Sequence, residues 1–213
     1  MSSCIGREAK TSASSTCIRR LRAEKSFCGR NSSHSAKECS PSRVRIARFE
    51  KVSVRRFVAD WCATFPQQSI EQAVAAYERI RLPERATSGS AGYDFFAPVG
   101  FELGAGEGIK IPTGVRALIE DGWVLSIYPR SGLGFKYRFQ LDNSVGIIDS
   151  DYARSDNEGH IFMRMTNDNR EGKSLLVPAG TAFAQGIFLP FGITVDDDAQ
   201  GIRNGGLGST TGR

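Results

Sequence analysis

The chain has 213 residues, 40% hydrophobic and 24% charged, with 23 Gly and five Cys, the composition of an ordinary globular protein. Its longest apolar approach, residues 186–195, is broken by Pro190 and Gly192 and falls short of the about 20 residues of a transmembrane helix, and the start of the chain lacks the apolar run of a secretory signal. Residues 1–43 hold nine basic against three acidic side chains, so the net charge of +5 belongs to the head, and the near-neutral remainder has no long-range field for nucleic acid.

In chain order, residues 1–43 are Ser-rich and carry Cys4, Cys17, Cys28 and Cys39 with few apolar side chains. Such a stretch cannot offset its conformational entropy by burial, so a disordered basic extension is expected. The Cys spacings are too wide for a zinc site, and an odd cysteine count without an export signal points to free thiols in a reducing, cytoplasmic setting. Residues 44–49 alternate apolar and polar, as a half-buried strand does. A helix is expected over 54–65, with Phe57, Val58, Trp61 and Cys62 on one face and Pro66 ending it. Ser69 followed by Gln72 reads as a capping box before a second helix over 73–80.

From Leu82 the texture changes. Short runs at 109–111, 115–119, 123–127, 146–148, 161–165, 175–177 and 187–189 are separated by turn residues such as those at 112–114, 120–122 and 178–180. Many short strands at this spacing indicate an all-β sandwich or barrel. The expected organisation is an extension at 1–43, a β domain at 44–198 with a helical insert at about 53–80, and a mobile Gly-rich C-terminal arm at 199–213.

Four segments carry unusual chemistry. Residues 90–94, SAGYD, combine small residues with Asp94. Residues 129–134, PRSGLG, offer the fork of Arg130, the hydroxyl of Ser131 and the bare backbone of Gly132, a set that suits phosphate oxygens, although a Gly-rich turn with an exposed Arg has the same composition. Residues 141–152 read as a hairpin in which Asn143 and backbone groups face a pyrimidine edge. Asp149 there is either a turn former or a carboxylate that orients and deprotonates a water. Residues 203–213 are rich in Gly, yet Leu207 stands where a Walker A loop needs Lys.

Taken in order, SAGYD, PRSGLG, GIIDSDY (146–152), AQGIFLP (184–190) and RNGGLGST (203–210) resemble the five motifs of the trimeric dUTPase family, over roughly 82–213. The resemblance implies a mainly β, jelly-roll-like subunit with one or two short N-terminal helices, a homotrimer with shared sites, and conversion of dUTP and water to dUMP and diphosphate. It further implies that Asp149 positions the attacking water, while Asn143 and the neighbouring backbone, Gly146 included, read uracil. Tyr152 lies against the deoxyribose and leaves no room for a 2′-hydroxyl. Arg130, Ser131, Gly132 and Gln185 hold phosphates, and Arg203, Leu207, Gly208, Ser209 and Thr210 close as a lid. Mg²⁺ rides mainly on the triphosphate, with Asp94 reached through water. No membrane or nucleic-acid partner is implied.

Three departures stand out. Leu207 replaces the usual aromatic of the lid, Phe183 stands where many members carry Arg, and the loop after Tyr152 is long. The alternatives are a dCTP deaminase, alone or bifunctional, with Glu158 as its acid/base, and a dUTP-responsive regulatory binder. His160 reads as a satisfied structural histidine, and residues 196–198 as a solvated acidic hinge.

Overall fold

The computed structural model describes residues 43–205; the expectations for the N-terminal extension, and those for Leu207, Gly208, Ser209 and Thr210, lie outside the described residues. The unit that follows begins at Val44. Its first strand, β1 (Ala47–Lys51), precedes two helices, α1 (Val54–Thr64) and α2 (Ile70–Glu78). Ser53 caps α1 by accepting from the Arg56 N–H at 3.1 Å. Phe57 and Trp61, one turn apart, are wholly buried and touch ring to ring at 5.1 Å, and the α-helical ladder stops at Phe65, ahead of Pro66. The capping box on α2 is formed as expected: Gln72 N–H donates to the Ser69 hydroxyl, and the Gln72 side chain accepts from Ser69 N–H at 2.8 Å. Buried Ala73 and Ala76 let α2 lie close to α1.

The remaining strands are β2 (Tyr93–Phe96), β3 (Phe101–Leu103), β4 (Gly108–Pro112), β5 (Val115–Ile119), β6 (Trp123–Pro129), β7 (Phe139–Leu141), β8 (Gly146–Ile148), β9 (Phe162–Asn167), β10 (Leu175–Val177) and β11 (Ala182–Pro190), with a short helix α3 (Ser131–Tyr137) and a 3-10 turn at Ser150–Arg154. They form a four-stranded sheet β2-β11-β6-β8, a three-stranded sheet β4-β9-β7, and the pairs β1-β5 and β10-β3. Every pairing is antiparallel. This is the mainly β, jelly-roll-like fold expected from the sequence. Its core runs from Phe57 and Trp61 through Ile111 and Met163 to Phe95, Leu125, Phe139 and Phe183.

Gly114 joins the helices to the sheet. It sits at φ +72, and a Cβ there would lie 2.1 Å from Ile80 Cδ1 and 3.0 Å from the Phe57 ring. Only glycine combines that left-handed backbone with so close an approach.

Three expectations need correction. The first strand is 47–51 rather than 44–49, because its register is set by pairing with β5, from Ala47 opposite Ile119 to Lys51 opposite Val115. Residues 141–148 are no hairpin: β7 pairs with β9 and β8 with β6, so this segment crosses from one sheet to another through a turn in which Ser144 takes φ +65. The Gly-rich turn open to PRSGLG is instead a short helix, with Ser131 opening α3 and Arg130 the extended residue before it.

Candidate active site

The register of the four-stranded sheet places Asp94 opposite Gln185 and Gln185 opposite Tyr128, so three strands deliver one row of side chains. Gln185 Nε2 donates to the Pro129 carbonyl at 3.1 Å, which fixes the exit of β6. Gly92 is a spacing requirement, because a Cβ there would meet Gln185 Oε1 at 2.8 Å. Arg130 then turns back across the row. Its Nε faces Asp94 Oδ1 at 3.2 Å, and its Nη1 donates to the Ala182 carbonyl at 3.1 Å. These groups, with Ser90 and Ser131, line a polar cavity of about 190 Å³. Ser131 and Gly132 form the exposed first turn of α3, with open space around Gly132.

A second group gathers at the end of β8. Asp149 follows Ile148 as the extended residue before the 3-10 turn, and its side chain makes no capping bond. The carboxylate is therefore free to pair with Arg203, whose Nη2 donates to Asp149 Oδ2 and whose Nε donates to Asp151 Oδ1 at 2.8 Å. The same guanidinium lies 5.9 Å from the centre of the Tyr152 ring. Tyr152 is buried; its hydroxyl donates to the His160 carbonyl and accepts from Asn157 Nδ2, both at 2.8 Å. Burial raises the phenol's pKa, reinforced by the charge of Asp60 and opposed by the Asn157 bond and by Arg203, so the ring keeps its proton and its donor role. Asn143 is exposed in the turn before β8, where its carbonyl accepts from Val145 N–H at 2.7 Å. Gly146 lies against Ile127, whose Cβ a substituent would meet at 3.1 Å.

Within one chain Asp149 and Arg130 stand apart, with Gly146, opposite Ile127, between their levels. Ile148 pairs with Leu125, which sets Asp149 level with Val124, whereas Arg130 follows the other end of β6. Six residues at about 3.3 Å each amount to roughly 20 Å.

Several sequence readings are settled by this geometry. His160 is fully buried and satisfied: Nε2 accepts from the Gly114 N–H at 2.8 Å and Nδ1 meets Asp60 Oδ2 at 2.6 Å. Both oxygens of Glu158 are taken by Ser53, one by its N–H and one by its hydroxyl, each at 2.7 Å. A carboxylate engaged in capping α1 is less available for acid/base work on a base's amine, which disfavours the deaminase reading. Phe183 is buried at the irregular step of β11 with its ring 6.4 Å from Phe101, so position 183 serves the core in this chain. Sequence reading missed Asp60; no local pattern marks it, because its partner His160 reaches it only in the fold.

The described residues contain no cluster of three metal-ligating side chains. Asp94 is paired with Arg130 and lines the polar cavity. Among the described residues no helix is long and apolar enough to cross a membrane.

A model of the family described as dUTPase matches residues 78–211. The deoxyuridine 5′-triphosphate nucleotidohydrolase of Lactococcus lactis is 42% identical over 134 residues, covering 62% of this chain and 88% of the relative. That of Tolumonas auensis is 39% identical over 137 residues, covering 61% and 86%. Among solved structures, a dUTPase from phage phi11 of S. aureus superposes with a TM-score of 0.51 at 19% identity, covering 74% of this chain and 97% of that one, a likeness of fold. The matched stretch starts in the last turn of α2, leaves β1 and α1 ahead of it, and takes in every motif just placed on the sheet; this chain belongs to the dUTPase family.

Proposed function

We propose that the protein hydrolyses dUTP to dUMP and diphosphate, with the Asp149 carboxylate orienting the water that attacks the α-phosphorus. One oxygen–phosphorus bond forms at the α-position and the bridging α–β bond breaks. Diphosphate leaves with the electron pair, and the water's proton passes to Asp149. A positioned base of this kind contributes about 10²–10⁴-fold, and the remainder of phosphoryl transfer is positioning and charge neutralisation.

The observation that carries the reading is the sheet register. It brings Gln185 beside Arg130 and the polar cavity, which supports their reading with Ser131 and Gly132 as a phosphate set, and it puts Asp149 roughly 20 Å along β6 from Arg130. A triphosphate spans less than that, so the two halves meet when one chain presents its phosphate set to the Asp149 of another. This supports the homotrimer with shared sites.

In this proposal the exposed Asn143 amide and the Gly146 backbone read uracil, and the Tyr152 ring closes the sugar's 2′ side. Arg203 leaves Asp149 for the phosphates when the arm closes, and Leu207, Gly208, Ser209 and Thr210 complete the lid. A Mg²⁺ ion carried by the triphosphate would neutralise the phosphoryl oxygens, and Asp94 would be the residue to hold it through water. A structure of a phage phi11 dUTPase mutant is described as revealing coordination of a structural Mg(II) ion, which is consistent with an ion in this proposal. A cytoplasmic setting, with the Cys62 thiol free, belongs to the same proposal.

The test is diphosphate release from the four deoxynucleoside triphosphates and UTP in the presence of Mg²⁺. Release from dUTP alone is expected. Ammonia from dCTP, or equal release from UTP, contradicts the assignment.

A further inference from the structure

Helix α1 lies ahead of the stretch matched by the family, yet it grips the loop that anchors the Tyr152 ring. Three contacts make the grip. The Ser53 N–H and hydroxyl bind both oxygens of Glu158. Arg56 reaches the Asp156 carbonyl at 3.4 Å and Asp60 Oδ1 at 3.2 Å. Asp60 Oδ2 takes the His160 ring.

The hydrogen bonds fix the tautomer of that ring. Nε2 accepts from the Gly114 N–H, so it carries the lone pair, and Nδ1 carries the proton that Asp60 accepts. The imidazole is thereby a strut between α1 and the turn before β5. Its own backbone carbonyl receives the Tyr152 hydroxyl, and Asn157 donates to the same hydroxyl oxygen. Asn157 is itself oriented by the Ser155 hydroxyl at 3.0 Å and the Gly159 N–H at 3.1 Å.

The loop has no slack of its own. Glu158 and Gly159 both take positive φ, and a Cβ on Gly159 would lie 2.5 Å from Ala153 Cα. The loop is pressed onto the 3-10 turn that bears Tyr152 on one side and tied to α1 on the other. A ring that discriminates a hydrogen from a hydroxyl must be held to a fraction of an ångström, and such precision depends on the groups behind it.

We infer that Asp60, His160 and Asn157 are positioning residues that hold the Tyr152 ring from behind and so set the enzyme's rejection of the 2′-hydroxyl. This rests on the reading of Tyr152 as the residue facing the sugar.

The test compares Asp60→Ala and Asn157→Ala with Trp61→Phe, a change on the same helix that leaves the loop contacts alone. Two quantities are read: the ratio of kcat/KM for dUTP over UTP, and amide exchange of the peptide spanning residues 150–160. For Asp60→Ala and Asn157→Ala, the ratio is expected to fall at least fivefold, with kcat for dUTP within threefold of the unmodified enzyme and exchange faster over 150–160. Trp61→Phe is expected to lower Tm without either effect. Asp60→Asn, whose amide oxygen still accepts from Nδ1, is expected to recover most of the ratio. An unchanged ratio in Asp60→Ala and Asn157→Ala overturns the inference, whether or not exchange rises, since faster exchange alone shows only a structural tie. If the unmodified enzyme hydrolyses dUTP and UTP alike, the sugar-side reading of Tyr152 fails on its own. The exchange data then decide the clamp separately: unchanged exchange shows that the contacts do not restrain the loop.

Discussion

Arg203 holds the carboxylate of Asp149, a residue 54 positions earlier in the same chain, while its Nε engages Asp151. The carboxylate proposed to orient the water is therefore paired with the same residue that is proposed to close over the phosphates. Arg203→Ala removes the partner of Asp149 and, in the proposed mechanism, a phosphate contact. The expected result is a KM for dUTP raised about tenfold, the loss of one charge-assisted contact, with kcat reduced as well. Steady-state diphosphate release checks it.

Asp149→Asn keeps the shape of the side chain and the turn that follows β8, because the Asp149 side chain caps nothing. Turnover is expected to fall by about 10³-fold, within the range of a lost general base, while dUTP affinity measured calorimetrically stays within a few fold. Unchanged turnover would take Asp149 out of its role.

Glu158 gives the fold an acid-sensitive joint. Desolvation pushes its pKa up, but the two bonds from Ser53, with the charges of Arg116 and Arg56, outweigh this and leave it below the ordinary glutamate value. The unfolded chain therefore takes up the proton first as pH falls, and the stabilisation present above about pH 4.3 is lost on descending through the lower folded value. Asp60 acts in the same direction: desolvation opposes, while the His160 bond and charge and then Arg56 prevail, lowering its pKa. Tm of the unmodified protein is expected to drop between about pH 5 and pH 3. Glu158→Gln is expected to start lower at neutral pH and to lose less across that window.

Gly114→Ala tests how the helices seat on the sheet. The new methyl meets Ile80 and the Phe57 ring at a left-handed backbone position, so left-handed strain adds to overpacking. A loss of about 2–4 kcal/mol is expected from urea midpoints.

The sequence shows the elements whose signal is local. Short apolar runs bounded by turn residues mark β5, β8 and β10 at their observed bounds, and the Ser69–Gln72 pair announces α2. β2 escapes because Tyr93, Phe95 and Phe96 do not alternate with polar residues, and β3 offers only two apolar residues about Glu102. α3 contains Gly132 and Gly134, which disfavour a helix; its place is fixed by Pro129 and Arg130, held by Gln185 and Asp94. The sheet change between β7 and β8 is equally hidden, since alternation gives a strand's faces and not its neighbour. Of the site, the motif residues are legible one by one. What cannot be read is that Asp149 and Arg130 stand at opposite ends of β6, or that Ser53 and Glu158, 105 positions apart, complete one cap.

Hydrolysis of dUTP in ¹⁸O-labelled water addresses the central claim most directly, because the fate of the label reports which phosphorus the water attacks. Water held by Asp149 against the α-phosphorus puts the label in dUMP and leaves diphosphate unlabelled. Label in the diphosphate would mean attack further along the triphosphate, in contradiction to the role assigned to Asp149.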